Sequence, residues 1–486
     1  MRMPLLVLVF LALLGAESSS LAGKDSRPNI VYLMSDDQCF HSLGCYGAPG
    51  AKTPHLDQLA RDGIAFDHHY DTTAICMACR ATVMTGMLEY KTGCNFDRGP
   101  LLQQDWEQSY PVLLKKAGYR TAFAGKFGFE VATSKQAKPG MPKGDFDVWA
   151  GGPGQTSYVT SQNPALARYA KEYPHSTLAY GAFGADFIRE SAQSGQPFCL
   201  SISFKAPHQP VTPDPRFNEI YAGASFLKPE NFGREKGLHF SEQSRLGRQY
   251  ERFHSWHYSD DYDGVMAKYY QLIYAIDQAV GMIRAAIEQA GVQNQTVVIF
   301  TSDNGYLCGA HGYGSKVLPY EEASRVPLII FDPQAPAEKA GTRIAALTGN
   351  VDFHPTILEL AGIPIPKQVD GRSLIPLWRG NVDKIHQSLP LINVWGPEEV
   401  HSLAVVTEHD KFIFWPYQNE TIKPAEEFYR LDRDPLELNN CLDDPDSRSQ
   451  LQHTRKEYQH WVKHWQHEGV KRYGYEEMIR KFALVP

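Results

Sequence analysis

Two pairs of oxygen-bearing side chains, Asp36-Asp37 and Asp303-Asn304, each follow directly on a short apolar run. They offer hard oxygen donors and no sulfur or imidazole, a set that suits Ca2+ or Mg2+ rather than zinc. A single Asp-Asp after a strand is ordinarily a turn or helix cap; the same arrangement after two strands points to a metal. Arg80, Lys126, His208 and Lys316 supply positive charge and proton donors. Together with a dication they could hold a tetrahedral oxyanion and stabilise charge on it as it reacts. Taken alone, His208 reads as a satisfied structural histidine, and Lys316 could be a solvated surface lysine. Cys76 and Cys79 lie in ICMACRATVMTG (75–86) with Cys-x-x-Cys spacing, which by itself suggests a redox pair or half of a zinc site.

Elements that end where these residues begin must position them. NIVYLM (29–34) is a β-branched apolar run that stops at Ser35-Asp36-Asp37, as a buried strand feeding a polar loop does. TPHLDQLARDG reads as a helix, with Thr53 as N-cap, Pro54 at the first helical position and Gly63 past the end. Residues 64–66, 121–124 and 199–204 read as further strands, and SYPVLLKKAG as a helix. An amphipathic stretch over 269–290 precedes TVVIFTSDNG, another strand running into acidic residues. Strands alternating with helices predict an α/β fold on a large, mostly parallel or mixed sheet sandwiched by helices. Asp36-Asp37, Lys126, His208 and Asp303-Asn304 all fall just after strands, where open α/β sheets bind their ligands. Segments 152–180 and 207–263 are rich in turn formers and aromatics without a clear period, and read as excursions over that rim that carry substrate selectivity.

After Gly371 the texture changes. Alternation over 402–416 predicts antiparallel strands and 447–466 a closing helix, so 371–486 reads as a smaller C-terminal α+β subdomain behind a catalytic region, 23–370. Residues 1–22 have the layout of a secretory signal peptide: Arg2, an apolar run from Leu5 to Leu14, then small residues. That run is short for a membrane span, which needs roughly 20 residues, so the expectation is a secreted or periplasmic chain with no span after cleavage. The net charge is −7 and no basic run is present, which gives nucleic acid or an anionic membrane nothing to bind. Eight cysteines are too few in 486 residues for a disulfide scaffold, and no metal-ligand spacing recurs.

Taken together, the motifs resemble the formylglycine-dependent (type I) sulfatases of the alkaline phosphatase superfamily. Cys76, Ala78 and Arg80 with Thr85-Gly86 match that family's Cys-x-Pro/Ala-x-Arg signature. NIVYLMSDDQ, AGKFG, KAPHQP, TSDNGY, HGYGSK, VDFHPTILELAGIPIP, DGRSLIPLWRG and FYRLDRDPLELNN follow in the family's order, over nearly the whole chain after the leader. The resemblance implies that a maturation enzyme oxidises Cys76 to formylglycine, with Cys79 a bystander. A redox pair would predict neither Arg80 nor the distant carboxylates. By the same resemblance Asp36, Asp37, Asp303 and Asn304 hold Ca2+ (or Mg2+), which also touches residue 76. Arg80 orients the formylglycine, Lys126 and Lys316 bind the sulfate, and His208 protonates the leaving oxygen. One hydroxyl of the aldehyde hydrate attacks sulfur and the other collapses to eject sulfate, dividing one hard step into two easier ones. The implied substrate is a sulfate ester of a carbohydrate or an aryl alcohol.

Two departures stand out. Where the family carries Gly-Lys-Trp-His, this chain has Gly125-Lys126-Phe127-Gly128, so the histidine that assists the collapse step is absent; His311, His68 and His69 are the candidates to replace it. Position 78 is alanine where many relatives have proline, which bears on recognition by the maturation system. A phosphodiester or phosphonate monoester hydrolase on the same scaffold, and a catalytically silent homologue that binds sulfated glycans, are the alternative functions.

Overall fold

The computed structural model describes residues 27–485, so the expected signal peptide lies outside the described residues. The main sheet has eight strands: β1 (Asn29–Asp36), β2 (Ile64–Tyr70), β3 (Arg120–Lys126), β4 (Val148–Gly152), β5 (Phe198–Pro207), β6 (Thr296–Ser302), β7 (Leu328–Phe331) and β8 (Thr342–Gly349). Their spatial order is β8-β2-β7-β6-β1-β5-β3-β4. All run parallel except β7, which opposes both β2 and β6. Both faces of this sheet are covered. In β1 the side chains alternate between two cores, Val31 and Leu33 on one side, Ile30, Tyr32 and Met34 on the other. The first core includes apolar side chains of helices Pro54–Asp62, Ser176–Ser194 and Tyr262–Gln289; the second those of Cys76–Thr85, Tyr110–Lys116 and Phe353–Leu360. This is the predicted α/β class.

The strand register brings the polar loops level. Ser35 of β1 pairs with Ser302 of β6, Met34 with Ser203 of β5, and Gly125 of β3 with the same Ser203. Asp36-Asp37, Asp303-Asn304, Lys126 and His208 therefore leave the sheet at one rim.

A second sheet is antiparallel throughout: β9 (Ser388–Asn393), β10 (Ser402–Thr407), β11 (Asp410–Trp415) and β12 (Ala425–Arg430), in that order. Helix Arg448–Glu468 packs on it through Tyr458, Val462 and Trp465. Buried Lys411 of β11 lies 2.7 Å from Glu321 and 2.8 Å from Glu437, and Glu437 also accepts the Glu321 backbone N–H at 2.8 Å. This ionic knot ties the second sheet to the chain that follows β6.

The structure departs from the expected elements in local ways. Thr53 does not cap its helix with its side chain; its hydroxyl accepts from Gly44 N–H at 3.0 Å and bonds Asp57. The excursions hold more helix than their sequence suggests, since one helix starts at Ser176 and the long helix begins at Tyr262, where Asp261 accepts from Gly264 N–H. Among the described residues no helix is long and apolar enough to cross a membrane.

Candidate active site

Cys76 is the first residue of a ten-residue helix, 1% exposed, at the end that carries the positive pole of the helix dipole. Its sulfur lies 3.5 Å from Asp36 Oδ1, 3.8 Å from Asn304 Oδ1 and 2.8 Å from Lys316 Nζ. Residues from the β1 loop, the β6 loop and a segment a further twelve residues on thus meet at one sulfur. Burial, reinforced by Asp36, pushes the Cys76 thiol up to about 12, so the unmodified residue is a protonated thiol at neutral pH and a weak nucleophile.

Around it the charges are paired and dry. Lys126 Nζ lies 2.5 Å from Asp36 Oδ2. Lys316 Nζ bonds Asp37 Oδ1, which also accepts from Asn304 Nδ2 at 2.8 Å. Arg80 donates Nε and Nη2 to Asp303 Oδ2 at 2.9 and 2.8 Å, and Nη1 to the Lys126 carbonyl at 2.5 Å. Asp303 Oδ1 accepts the Asp37 backbone N–H at 3.2 Å. Despite its burial, Asp36 is held well below the usual carboxylate range by Lys126, His208, Arg80 and Lys316. Asp303, by contrast, is raised, by burial and by its neighbour Asp36. Lys316 is held up by Asp37 and residue 76 against the cost of its burial. Three carboxylates (Asp36, Asp37, Asp303) therefore face three cations (Arg80, Lys126, Lys316).

The backbone that presents these groups is unusual. Asp37 has φ 67°, and Lys316 stands between Ser315 at φ 73° and Val317 at φ 90°. Left-handed backbone at non-glycine residues costs about 1–3 kcal/mol each and persists where the surroundings hold it, typically at functional sites. Tyr269 of the long helix braces the first loop: its hydroxyl donates to the Asp37 carbonyl at 2.7 Å and accepts from Cys39 N–H at 3.0 Å. Gly125 (φ 96°) is required by close approach, since a Cβ there would sit 1.9 Å from the Ser203 carbonyl oxygen.

His208 closes the group. Its Nε2 is 3.6 Å from Asp37 Oδ2, and its Nδ1 is 2.5 Å from the Gln209 carbonyl oxygen. That carbonyl assigns the proton to Nδ1 in the neutral ring and leaves Nε2 as the titrating atom. Burial is the main force on it and lowers the ring to about 4. Asp37, Cys76, His208 and Lys316 face one cavity of about 440 Å³. Carboxylate oxygens of Asp36 and Asp37, the donors suited to a hard dication, lie within 4.8 Å of one another and of the Cys76 sulfur and a His208 nitrogen, and Asn304 Oδ1 faces the same sulfur.

His311 is not brought there, contrary to the expectation that it replaces the absent histidine. It is fully buried, with Nδ1 3.1 Å from the Lys236 carbonyl and Nε2 3.1 Å from the Asn231 amide, in a separate group with Glu322 and Glu437. His68 and His69 bond Ala345 O and Thr348 Oγ1 instead. Gly128, where the histidine would stand, has φ 87°, and a Cβ on it would lie 2.3 Å from Arg80 Cδ; the arginine stem occupies that space. Cys79 is 3.5 Å from Asp71 Oδ1 and accepts from Asn350 Nδ2 at 3.2 Å, an isolated buried thiol rather than half of a pair.

Sequence reasoning passed over Lys205, in the same KAPHQP segment. Its Nζ donates to the Gln155 carbonyl at 3.0 Å, and it is buried within electrostatic range of Asp36, Asp37 and residue 76. Its place three residues before His208 at the end of a strand was the available signal. Arg252, Trp256 and Trp395 also line the cavity; Arg252 stands on helix Arg248–Ser255 and Trp256 ends it, in a stretch whose sequence shows no clear period and so carried no signal.

The sulfatase family profile matches residues 28–363, and the profile of the N-sulphoglucosamine sulphohydrolase C-terminal region matches residues 309–464. An N-acetylglucosamine-6-O-sulfatase of Bacteroides thetaiotaomicron is 29% identical over 434 residues, covering 77% of this chain and 75% of that protein. An enzyme solved in complex with its substrate D-glucosamine-2-N,6-O-disulfate superposes with a TM-score of 0.73 at 24% identity, covering 90% of this chain and 98% of that one. A phosphonate monoester hydrolase of Agrobacterium radiobacter gives a TM-score of 0.72 at 20% identity, over 90% and 96% of the two chains. At those identities the two structures speak for the fold alone. The family profile covers more than two thirds of the chain, and its signature cysteine and arginine meet the carboxylates at one rim. The chain belongs to the sulfatase family, enzymes that hydrolyse sulfate esters.

Proposed function

We propose that this sulfatase is exported and removes sulfate from a sulfated sugar, using a formylglycine made from Cys76 by a maturation enzyme and a hard dication, Ca2+ or Mg2+. One observation carries the reading: the Cys76 sulfur lies within 4 Å of Asp36, Asn304 and Lys316 at the mouth of a helix dipole. The relative named an N-acetylglucosamine-6-O-sulfatase supports an amino-sugar substrate. Export rests on the leader sequence.

Asp36, Asp37, Asp303 and Asn304 would hold the metal, which supplies Lewis-acid polarisation of a sulfate oxygen when bound. The formylglycine hydrate would supply two hydroxyls, one to displace the alcohol from sulfur and one whose collapse releases sulfate. The chain's own groups do the rest. Arg80 keeps Asp303 aimed at the site through two hydrogen bonds from one guanidinium. Lys316 stands over residue 76 and neutralises charge gathering on the sulfate oxygens, while Lys126 holds Asp36 in place. His208, its Nδ1–H engaged by the Gln209 carbonyl, would give a proton from Nε2 to the departing sugar oxygen in its doubly protonated form, which the negative charge of a bound sulfate ester favours. With the carboxylates and cations of the pocket balanced three to three, a bound dication leaves a positive site matched to a sulfate ester.

The test is mass analysis of the tryptic peptide bearing residue 76, from protein expressed with a formylglycine-generating enzyme, beside activity on defined sugar sulfates, an aryl sulfate and a phosphonate ester. The reading requires the aldehyde mass and sugar desulfation. An unmodified thiol in every copy, or turnover of the phosphonate ester alone, refutes it.

A further inference from the structure

The wall of the cavity carries two cations that the chemistry at Cys76 does not use. Arg248 and Arg252 are one turn apart on helix Arg248–Ser255, so both project from the same face. The Arg248 guanidinium lies over the Trp395 ring, 4.0 Å from its centroid, and Arg252 lies over Trp256 at 4.2 Å. Arg252 also donates Nη1 to Ser315 Oγ at 2.7 Å, next to Lys316. Among the described residues neither guanidinium has a carboxylate within ion-pair distance; Asp97, the acid that acts on Arg248, accepts the Gly396 backbone N–H at 2.7 Å. Burial lowers the proton affinity of both guanidiniums, and the charge on Arg252 lowers that of Arg248 further. Unpaired like charges held side by side cost energy in the empty protein, and that cost is relieved when an anion arrives. Stacking a guanidinium on an indole face leaves its N–H edge free, and that edge is the part that grips a planar or tetrahedral oxyanion.

We propose that Arg248 and Arg252 form a second anion subsite, so that the preferred substrate is a sugar bearing another sulfate or carboxylate beside the sulfate that is cleaved. The proposal rests on the sulfatase reading of this cavity and names which sulfated sugars it selects. Arg252, tied to Ser315, stands on the Lys316 side of the subsite. Arg248 stands outside it with Trp395, whose ring offers a face to the sugar. The cavity of about 440 Å³ lies within the range that takes a small ligand, roughly 300–1,000 Å³.

The experiment compares kcat/KM of the matured enzyme on three substrates: glucosamine sulfated at O6 and N-acetylated, the same sugar sulfated at both O6 and N, and an O6-sulfated glucosamine joined to a uronic acid. At least one doubly anionic substrate should exceed the N-acetylated one by tenfold or more, which is about 1.4 kcal/mol. Arg248→Gln should remove most of that ratio, chiefly through KM, and Arg248→Lys should retain part of it. Which substrate wins distinguishes sulfate from carboxylate. Equal values for all three substrates in the wild type, or a ratio unchanged in Arg248→Gln, overturns the subsite while the sulfatase reading stands. Turnover of an aryl sulfate with none of the three sugars overturns the subsite together with the sugar substrate. Loss of all sulfate ester turnover, with the aldehyde present, overturns the reading beneath it.

Discussion

Restoring the family histidine at position 128 should damage this enzyme. Gly128 has φ 87°, and any side chain there begins with a Cβ 2.3 Å from Arg80 Cδ. Arg80 cannot yield cheaply, because it is 1% exposed and spends three N–H groups on Asp303 and the Lys126 carbonyl. The left-handed backbone alone costs a non-glycine residue about 1–3 kcal/mol. Driving Arg80 off Asp303 leaves a buried charge without its partner, a further ~3–5 kcal/mol. Gly128→His is therefore expected to lose about 4–8 kcal/mol, a large share of the ~5–15 kcal/mol that holds a typical native protein together. Gly128→Ala should lose most of the same amount, since the collision starts at the Cβ. Denaturant unfolding gives the stability, and release of a chromogenic alcohol from an aryl sulfate gives the activity. In an Arg80→Ala background the collision is absent, so Gly128→His should add only the backbone cost; the cycle should show a coupling of several kcal/mol. A Gly128→His variant within about 1 kcal/mol of the wild type and equally active would refute the reasoning, because it would mean that the backbone, and not Arg80, gives way.

Other consequences of the structure are as open to measurement. Gly125→Ala should unfold at markedly lower denaturant, by about 1–3 kcal/mol for overpacking alone, because its Cβ meets a β5 carbonyl at 1.9 Å; an unchanged midpoint would contradict the register of β3 on β5. Asp277, buried under the Leu56 N–H at 2.8 Å, is raised by burial to about 7. The folded state keeps its proton longer than the unfolded chain, so this contribution is complete below about pH 4 and fades as pH rises through about 7. Asp277→Asn should flatten stability against pH in that window by up to about 1.4 kcal/mol per pH unit, and urea midpoints from pH 4 to 8 that keep their slope would exclude the assignment. Chelation should abolish sulfate ester hydrolysis while circular dichroism stays native, since Lys126, Lys316 and Arg80 still balance Asp36, Asp37 and Asp303; unfolding on chelation would show that the ion pairs do not suffice.

Much of the site was legible because strands announce themselves. Asp36-Asp37, Lys126, His208 and Asp303-Asn304 each follow a short apolar run, and a parallel sheet sends the ends of such runs to one rim. Cys76 and Arg80 needed the family signature, since a helix start after a loop has no comparable mark. His311 was misplaced because it lies only five residues from Lys316, yet the intervening chain turns through left-handed residues at His311, Gly312 and Ser315 and faces the two in different directions. The helix from Ser176 packs closely at two glycines, which blur its apolar pattern. A Cβ on Gly181 would meet the Ala279 backbone at 3.0 Å, and one on Gly184 would meet Ile202 at the same distance. Buried apolar side chains such as Leu178, Tyr180, Phe183 and Phe187 are spread around the helix between these glycines, so no single helical stripe stands out. Trp395 joins the cavity from far along the chain, beyond the reach of any local pattern.

The salt-bridged knot of Lys411, Glu321 and Glu437 has a practical corollary for anyone who would trim this protein. Cutting the chain before β9 would seem to leave every group of the reaction centre intact. It would also strip Glu321 of Lys411, leaving Arg325 at 3.4 Å as its counter-ion, and of the acceptor for its own N–H, five residues from Lys316. The lysine that stands over residue 76 would lose its footing, and the shortened molecule would be an enzyme in sequence only.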